Sequence, residues 1–170
     1  MEDIRKEFAE RDKVVGEIIN ELGPKLKINK YQLDDECAEQ ASMFFDIAQQ
    51  HSIVHNLHQR AKVEYNAMRS ELSLDVRTNP EQYGIEGKIT EALITSTLDT
   101  TEKIIDAELL LADISKLVLE VKALVDAFEH RRSMLNNEVQ LMFSNISHDT
   151  DSYRKKLTGE EVPKKRRKKI

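Results

Sequence analysis

A chain of 170 residues is the length of a single domain with room for a tail. It carries 34% charged residues, five Gly, three Pro, no Trp and only 5% aromatics, too few turn-formers and strand-formers for a β-sandwich or barrel. One cysteine, Cys37, excludes an internal disulfide framework and a cysteine-built metal site, and the longest wholly apolar run, Leu109–Ala112, is far too short to span a membrane. The first residues do not read as a secretion signal. The expected class is all-α and cytoplasmic.

The net charge of −5 hides an asymmetry. Residues 1–148 hold 17 Lys and Arg against 27 Asp and Glu, whereas residues 149–170 hold nine against four. An acidic body with a basic end is the strongest polar signal in the chain.

A first helix is expected from about Asp3 to Leu22, with a ragged apolar face made by Ile4, Phe8, Val15, Ile18, Ile19 and Leu22. Gly23-Pro24 stops it, Gly suiting the position after the last turn and Pro being unable to continue the ladder. After a connector through Lys30, Asn29-Lys-Tyr-Gln32 and then Asp34 or Asp35 both offer N-caps for the next helix. From about Leu33 to Arg77 neither Gly nor Pro occurs. At ~100° per residue, Met43, Ile47, Val54, Leu57, Ala61, Tyr65, Met68, Leu72 and Val76 fall in one narrow arc, close to a coiled-coil seam.

Asn79-Pro80, Gly84 and Gly87 mark a loop. A short helix should begin at Thr90, with a new cap at Ser96–Asp99, where Asp99 and Glu102 have capping-box spacing. A second long helix is expected to about Ile146. Its seam is Leu110, Ile114, Leu117, Val121, Leu124, Phe128, Arg131, Leu135, Val139, Met142 and Ile146. The body, 1–146, thus reads as a long antiparallel helical hairpin with a short N-terminal helix, and 147–170 as a disordered basic tail. Helices this long and narrow-seamed are expected to oligomerise through their seams.

Function has few candidate residues. Lys164, Lys165, Arg166, Arg167, Lys168 and Lys169 form an unbroken basic run suited to a nucleic-acid arm, a nuclear-import address or a passive tail. On the first long helix His51, His55, His58, Lys62 and Arg69 line one edge of the seam, and Asp46, Glu64, Glu71 and Asp75 the other. Oppositely charged borders suit head-to-tail association of copies, closing into a ring where the rotation permits, or else the choice of the intrachain partner. Between Asp46 and Glu64 there is no carboxylate, so the basic edge is also a possible phosphate track. The three histidines have a spacing a metal might use, but without a fourth ligand nearby no metal is expected. Arg131 occupies a seam position, with Arg132 beside it. A guanidinium there needs a partner carboxylate, or else a polar channel where it meets phosphate. No Gly-rich phosphate loop, nucleophile elbow or Cys–His arrangement is present, so no enzyme and no cofactor are expected.

Two stretches carry a family resemblance. One is Glu36-Cys-Ala-Glu-Gln-Ala-Ser-Met-Phe-Phe-Asp-Ile-Ala, opening the first long helix. The other is Gly87-Lys-Ile-Thr-Glu-Ala-Leu-Ile, followed by a long helix that ends in Ala127-Phe-Glu-His-Arg-Arg-Ser-Met-Leu-Asn-Asn-Glu-Val. Together they span about residues 33–145, and the arrangement resembles the UvsY-type phage recombination mediators. The resemblance implies a helical ring that binds single-stranded DNA in an infected bacterial cell. There it would help a RecA-like recombinase displace the single-strand-binding protein. By position it directs attention to Arg60, Lys62, Arg69, Arg77 and Lys88 as DNA contacts, beside Arg131, Arg132 and the basic tail. The competing reading is a coiled-coil scaffold whose basic tail tethers it to nucleic acid or addresses it to a nucleus.

Overall fold

Among the described residues there are four α-helices: α1 (Glu2–Leu22), α2 (Leu33–Thr78), α3 (Glu91–Thr100) and α4 (Glu102–Thr158). The computed structural model describes the backbone of residues 1–158 and the side chains of residues 1–146, with no strand among them. α2 and α4 lie antiparallel along most of their length, the expected hairpin. The predicted seams meet face to face. Met43, Ile47, Val54, Leu57, Ala61 and Val76 of α2 are buried, as is every seam residue of α4 from Leu110 to Leu135.

α1 is more than an appendage to this hairpin. It runs antiparallel to α2 and parallel to α4. Ile4 joins Leu57, Ala61, Leu110 and Ile114 in one cluster, while Val15 and Leu22 join Met43, Ile47, Val54, Leu117, Val121, Leu124 and Phe128 in another. The result is a three-helix bundle. The seams from Met43 to Ala61 and from Leu110 to Leu135 are therefore satisfied within one chain, and the expectation that they oblige several copies to cluster loses its premise there. α1 also lies on the acidic edge of α2. The amino group of Met1 is ion-paired with Glu64, and Arg60 with Glu7. That edge meets α1 of its own chain.

Local chemistry sets the breaks. Gly23 keeps right-handed helical angles (φ −53°, ψ −48°), and its N–H donates to Ile19 O at 2.9 Å. A Cβ there would sit 2.7 Å from that carbonyl oxygen, so close approach rather than a left-handed angle calls for glycine. α2 starts one residue before Asp34, so neither Asp34 nor Asp35 is the cap. Both lie in the first turn, where carboxylates complement the helix dipole. Asn29 organises the approach: its side-chain oxygen accepts from Tyr31 N, and its own N–H donates to Glu36.

At the far end a 3₁₀ turn, Pro80–Tyr83, folds the loop back onto α2. Ile85 then joins Val76, Ile94 and Leu98 in a small satellite core. Gly84 (φ 68°) and Gly87 (φ 96°) supply the left-handed turns this requires. Asp75 latches the loop, accepting from the Tyr83 hydroxyl and from Asn79 Nδ2. Thr90 caps α3 by accepting from Leu93 N. The expected Asp99–Glu102 capping box does not form. The break falls at Thr101, whose hydroxyl donates back to Thr97 O while Thr100 donates to Ser96 O. Such back-bonding by consecutive hydroxyls competes with helix continuation. Asp99 is thereby left on α3, facing Arg69.

α4 does not end at Ile146 but continues to Thr158. Residues 147–158 lose the apolar period yet contain no Gly or Pro, and propagating an existing helix is far easier than starting one. The basic run Lys164–Lys169 lies outside the described residues.

Phe128 is completely buried at the middle of the three-helix core. Phe128→Ala should lower stability by about 3–5 kcal/mol, read as a fall in the urea midpoint with little change in slope. Hydrogen bonds from Tyr83 and then Asn79 hold the Asp75 carboxyl below its ordinary range. A depressed folded pKa means the latch is intact above the ordinary carboxylate range and lost as pH falls through the folded value. The amide of Ile85, bonded to Pro80 O, should then lose hydrogen-exchange protection at acidic pH. In Tyr83→Phe it should lose protection already at neutral pH.

Candidate nucleic-acid interface

A 21-residue α1 covers one side of the α2–α4 hairpin and leaves the other open. On that open side a groove of about 510 Å³ is lined by Cys37, Ala41, Phe44 and Ala48 of α2 with Arg132 and Asn136 of α4, among others, and by no residue of α1. Back along α4 at seven-residue intervals from Arg132 come Val125, Val118 and Leu111, all half-buried. Along α2 the same side carries the basic edge, His51, His55, His58, Lys62 and Arg69. α1 thus lies on the acidic edge, and the cationic edge faces solvent.

Along this edge the His51 and His55 rings stack at 6.1 Å, and Gln59 Nε2 lies 3.4 Å from His55 Nε2. Asn56, Gln59, Lys62, Val63 and Asn66 are all exposed. No group of three His, Cys, Asp or Glu among the described residues is placed to hold a metal ion. The face offers cations, amides and a few apolar surfaces, without a carboxylate on α2 between Asp46 and Glu64. Such a surface can hold phosphates and tolerate any base sequence.

The structure does not bring the predicted basic residues into one patch. Lys62 and Arg69 share the open side. Arg69 donates to Asp99 at 2.9 Å and to the Tyr65 hydroxyl at 3.2 Å, and Asp99 foremost holds its guanidinium above the ordinary range. Arg60 lies on the opposite, α1 side, paired with Glu7. Arg77 pairs with Glu91 at 2.8 Å and, with the exposed Lys88, belongs to the α3 end. Arg132 sits at the rim of the groove, toward the start of α2. The pairs of Arg60, Arg69 and Arg77 are partly exposed, and exposed pairs are worth about 0–1 kcal/mol, so a phosphate can displace them at low cost.

Arg131 is different. It is 3% exposed, and its guanidinium is spent inside the fold. Nε donates to Lys25 O at 2.8 Å, Nη1 to Gln40 and Nη2 to the Glu36 carboxylate. Gln40 in turn donates to Phe128 O at 2.9 Å, and the guanidinium carbon lies 5.9 Å from the Phe128 ring centre. This cluster ties the α1–α2 connector, the start of α2 and the middle of α4 together. Of the two readings left open by the sequence, pairing with an acid of the facing helix is the one the structure shows. With its side chain 2% exposed and Nε, Nη1 and Nη2 each donating to a group of the same chain, Arg131 acts as a structural residue of the bundle. Its partners carry a signal in the sequence: Glu36, Gln40, Met43 and Ile47 continue the α2 seam at steps of 4, 3 and 4, polar at the level where α4 places Arg131.

Glu36→Ala leaves a buried guanidinium without its carboxylate and should cost about 3 kcal/mol. Arg131→Met removes the charge but leaves the Glu36 carboxylate, Gln40 Oε1 and Lys25 O without their donor, so it should also cost about 3 kcal/mol, and the double variant, with both charges gone, should cost less than the sum of the two. Urea denaturation of the four proteins measures the cycle. Comparison with protein-family models, with curated proteins and with solved structures yields no match to this chain.

Proposed function

We propose that this chain is a non-enzymatic recombination mediator. It binds single-stranded DNA and promotes loading of a RecA-like recombinase in place of the single-strand-binding protein. The observation that supports this reading best is the side of the bundle α1 occupies. With α1 over the acidic edge of α2, the edge with His51, His55, His58 and Lys62, which has no α2 carboxylate between Asp46 and Glu64, stays accessible, on the same side of the bundle as Arg69 and Arg132. The sequence resemblance supplies the recombinase and the single-strand-binding protein, and the basic run Lys164–Lys169 adds a second source of cations from the same chain.

One protomer of net charge −5 is a poor ligand for a polyanion. Several weak sites carried on one homo-oligomer, a ring in this reading, raise avidity by about 10²–10⁴ through effective concentration. With nine aromatics in the whole chain (five Phe, four Tyr), base stacking contributes little, so binding rests on phosphates and is steeply salt-dependent. The strand would be held extended on the open faces while the recombinase nucleates. A second reading is favoured by one observation. Arg60, Arg69, Arg77 and Arg131 each hold an ion pair within the chain, which suits a helical scaffold whose tail alone meets nucleic acid.

Titration of labelled oligo-dT across a salt series separates the two. Each phosphate contact contributes about 0.7 to the slope of log K against log salt, so deleting residues 164–169 should flatten it by roughly 4. Lys62→Ala with Arg69→Ala should remove a further ~1.4 in the mediator and nothing in the scaffold. Recombinase filament formation on strands precoated with single-strand-binding protein should accelerate with the intact chain, and binding without acceleration would favour the scaffold.

A further inference from the structure

The open-side groove holds more aromatic surface than a phosphate track needs. Phe44 and Phe45 are adjacent in α2, so their side chains leave the helix about 100° apart. Phe44 turns inward and packs, half-buried, against the three-helix core. Phe45 stays 65% exposed, yet its side chain lines the same groove. Ala41 and Ala48 lie one turn to either side, and their single methyl groups leave room beside the rings.

At about 510 Å³ the groove falls within the ~300–1,000 Å³ of small-ligand sites, which combine apolar walls with a few placed polar groups. On the α4 side those groups are the guanidinium of Arg132 and the amide of Asn136, and no carboxylate lines the groove. Arg60, Arg69, Arg77 and Arg131 each hold an ion pair, whereas Arg132 meets no carboxylate among the described residues. A planar cation with no counter-charge thus stands at the rim of an aromatic cleft. A nucleotide, a flat π-face joined to an anion, matches both features. An aliphatic ligand gains little from a ring face that an alkyl wall would not supply.

The groove is also continuous with the basic edge. From Ala48 the same side of α2 carries His51 and His55 at steps of three and four, then His58 and Lys62. Asp46, next to Phe45 in sequence, belongs to the opposite edge, where α1 lies. A strand that contacts Arg69 and follows α2 toward its start reaches Phe45 after about 36 Å.

We infer that Phe45 is a stacking platform for one nucleobase of a bound single strand, with Arg132 holding the adjoining phosphate. The inference rests on the proposed single-strand binding and adds to it a contact with bases. One ring per chain gives one stacked base per copy. Every base presents a π-face, so the contact is tolerant of sequence.

An abasic strand, with the phosphates of oligo-dT and none of its bases, separates ring from charge. Base–aromatic stacking contributes about 5- to 150-fold in affinity per base, so the full chain should bind oligo-dT at least about fivefold more tightly than an abasic strand of equal length. Phe45→Ala and Phe45→Leu should both erase that preference with the salt slope unchanged and helical circular dichroism retained. Leu keeps apolar area without a ring face, so its failure to rescue identifies stacking. Arg132→Ala should instead flatten the salt slope by about 0.7 and keep the preference for bases. The chain has no Trp, so Phe45→Trp installs a single fluorophore, whose emission should be quenched by oligo-dT and not by the abasic strand. Equal affinity of the wild type for both strands, or a preference that survives Phe45→Ala, would overturn the platform and leave the phosphate track standing. A chain that binds neither strand overturns both.

Discussion

A long helical hairpin has two sides, and a single short helix can cover only one of them. That constraint organises this molecule. The apolar seams of α2 and α4 bury each other along their common length, and α1 thickens the core where Val15, Leu22 and Phe128 meet. The opposite side keeps its cationic and amide side chains in water. Had α1 settled against His51, His55 and Lys62 instead, its own acids would have neutralised the basic edge and left Glu64 and Asp46 facing outward. The electrostatic character of the protein is thus set by which groove one amphipathic helix fills. That choice follows pairs such as Arg60 with Glu7 as well as apolar contact.

The buried Arg131 cluster fixes the register of the bundle. Apolar seams with a repeat of about 3.5 residues can slip by a heptad at modest cost, because one aliphatic layer resembles the next. A guanidinium that finds its carboxylate, its amide and a backbone carbonyl at only one level makes slippage expensive. Here the cluster also holds Lys25 O, and so pins the connector that brings α1 back along the hairpin. Register in turn decides how far α4 projects beyond the start of α2. A bundle slipped by one heptad would change that projection by about 10 Å.

These two features together connect the fold to the proposed role. A weakly cationic open side becomes effective on a polyanion only when several copies present it together. Exposed ion pairs such as Arg69 with Asp99 keep these cations ordered without committing them, since such pairs are worth little in water.

The helical class, both long seams, the Gly23-Pro24 and Asn79-Pro80 breaks and the onset near Thr90 were all legible along the chain. Each is a local matter of periodicity, backbone freedom or capping, and needs no knowledge of distant residues. Arg131 could be recognised as an anomaly for the same reason, since a charge interrupts an apolar period. Its partners left only a fainter mark, the polar start of the α2 seam at Glu36 and Gln40, because they and Lys25 come within reach only after the chain reverses between α2 and α4. The side of the hairpin taken by α1, which separates a shielded acidic edge from an open basic one, left none. The seams alone suggested oligomerisation everywhere, whereas α1 and the facing helices bury them from Met43 to Ala61 and from Leu110 to Leu135 within one chain. Short-range regularities are written residue by residue. Which faces meet, and which are left in water, depends on a competition among whole surfaces that exists only once the chain has closed on itself.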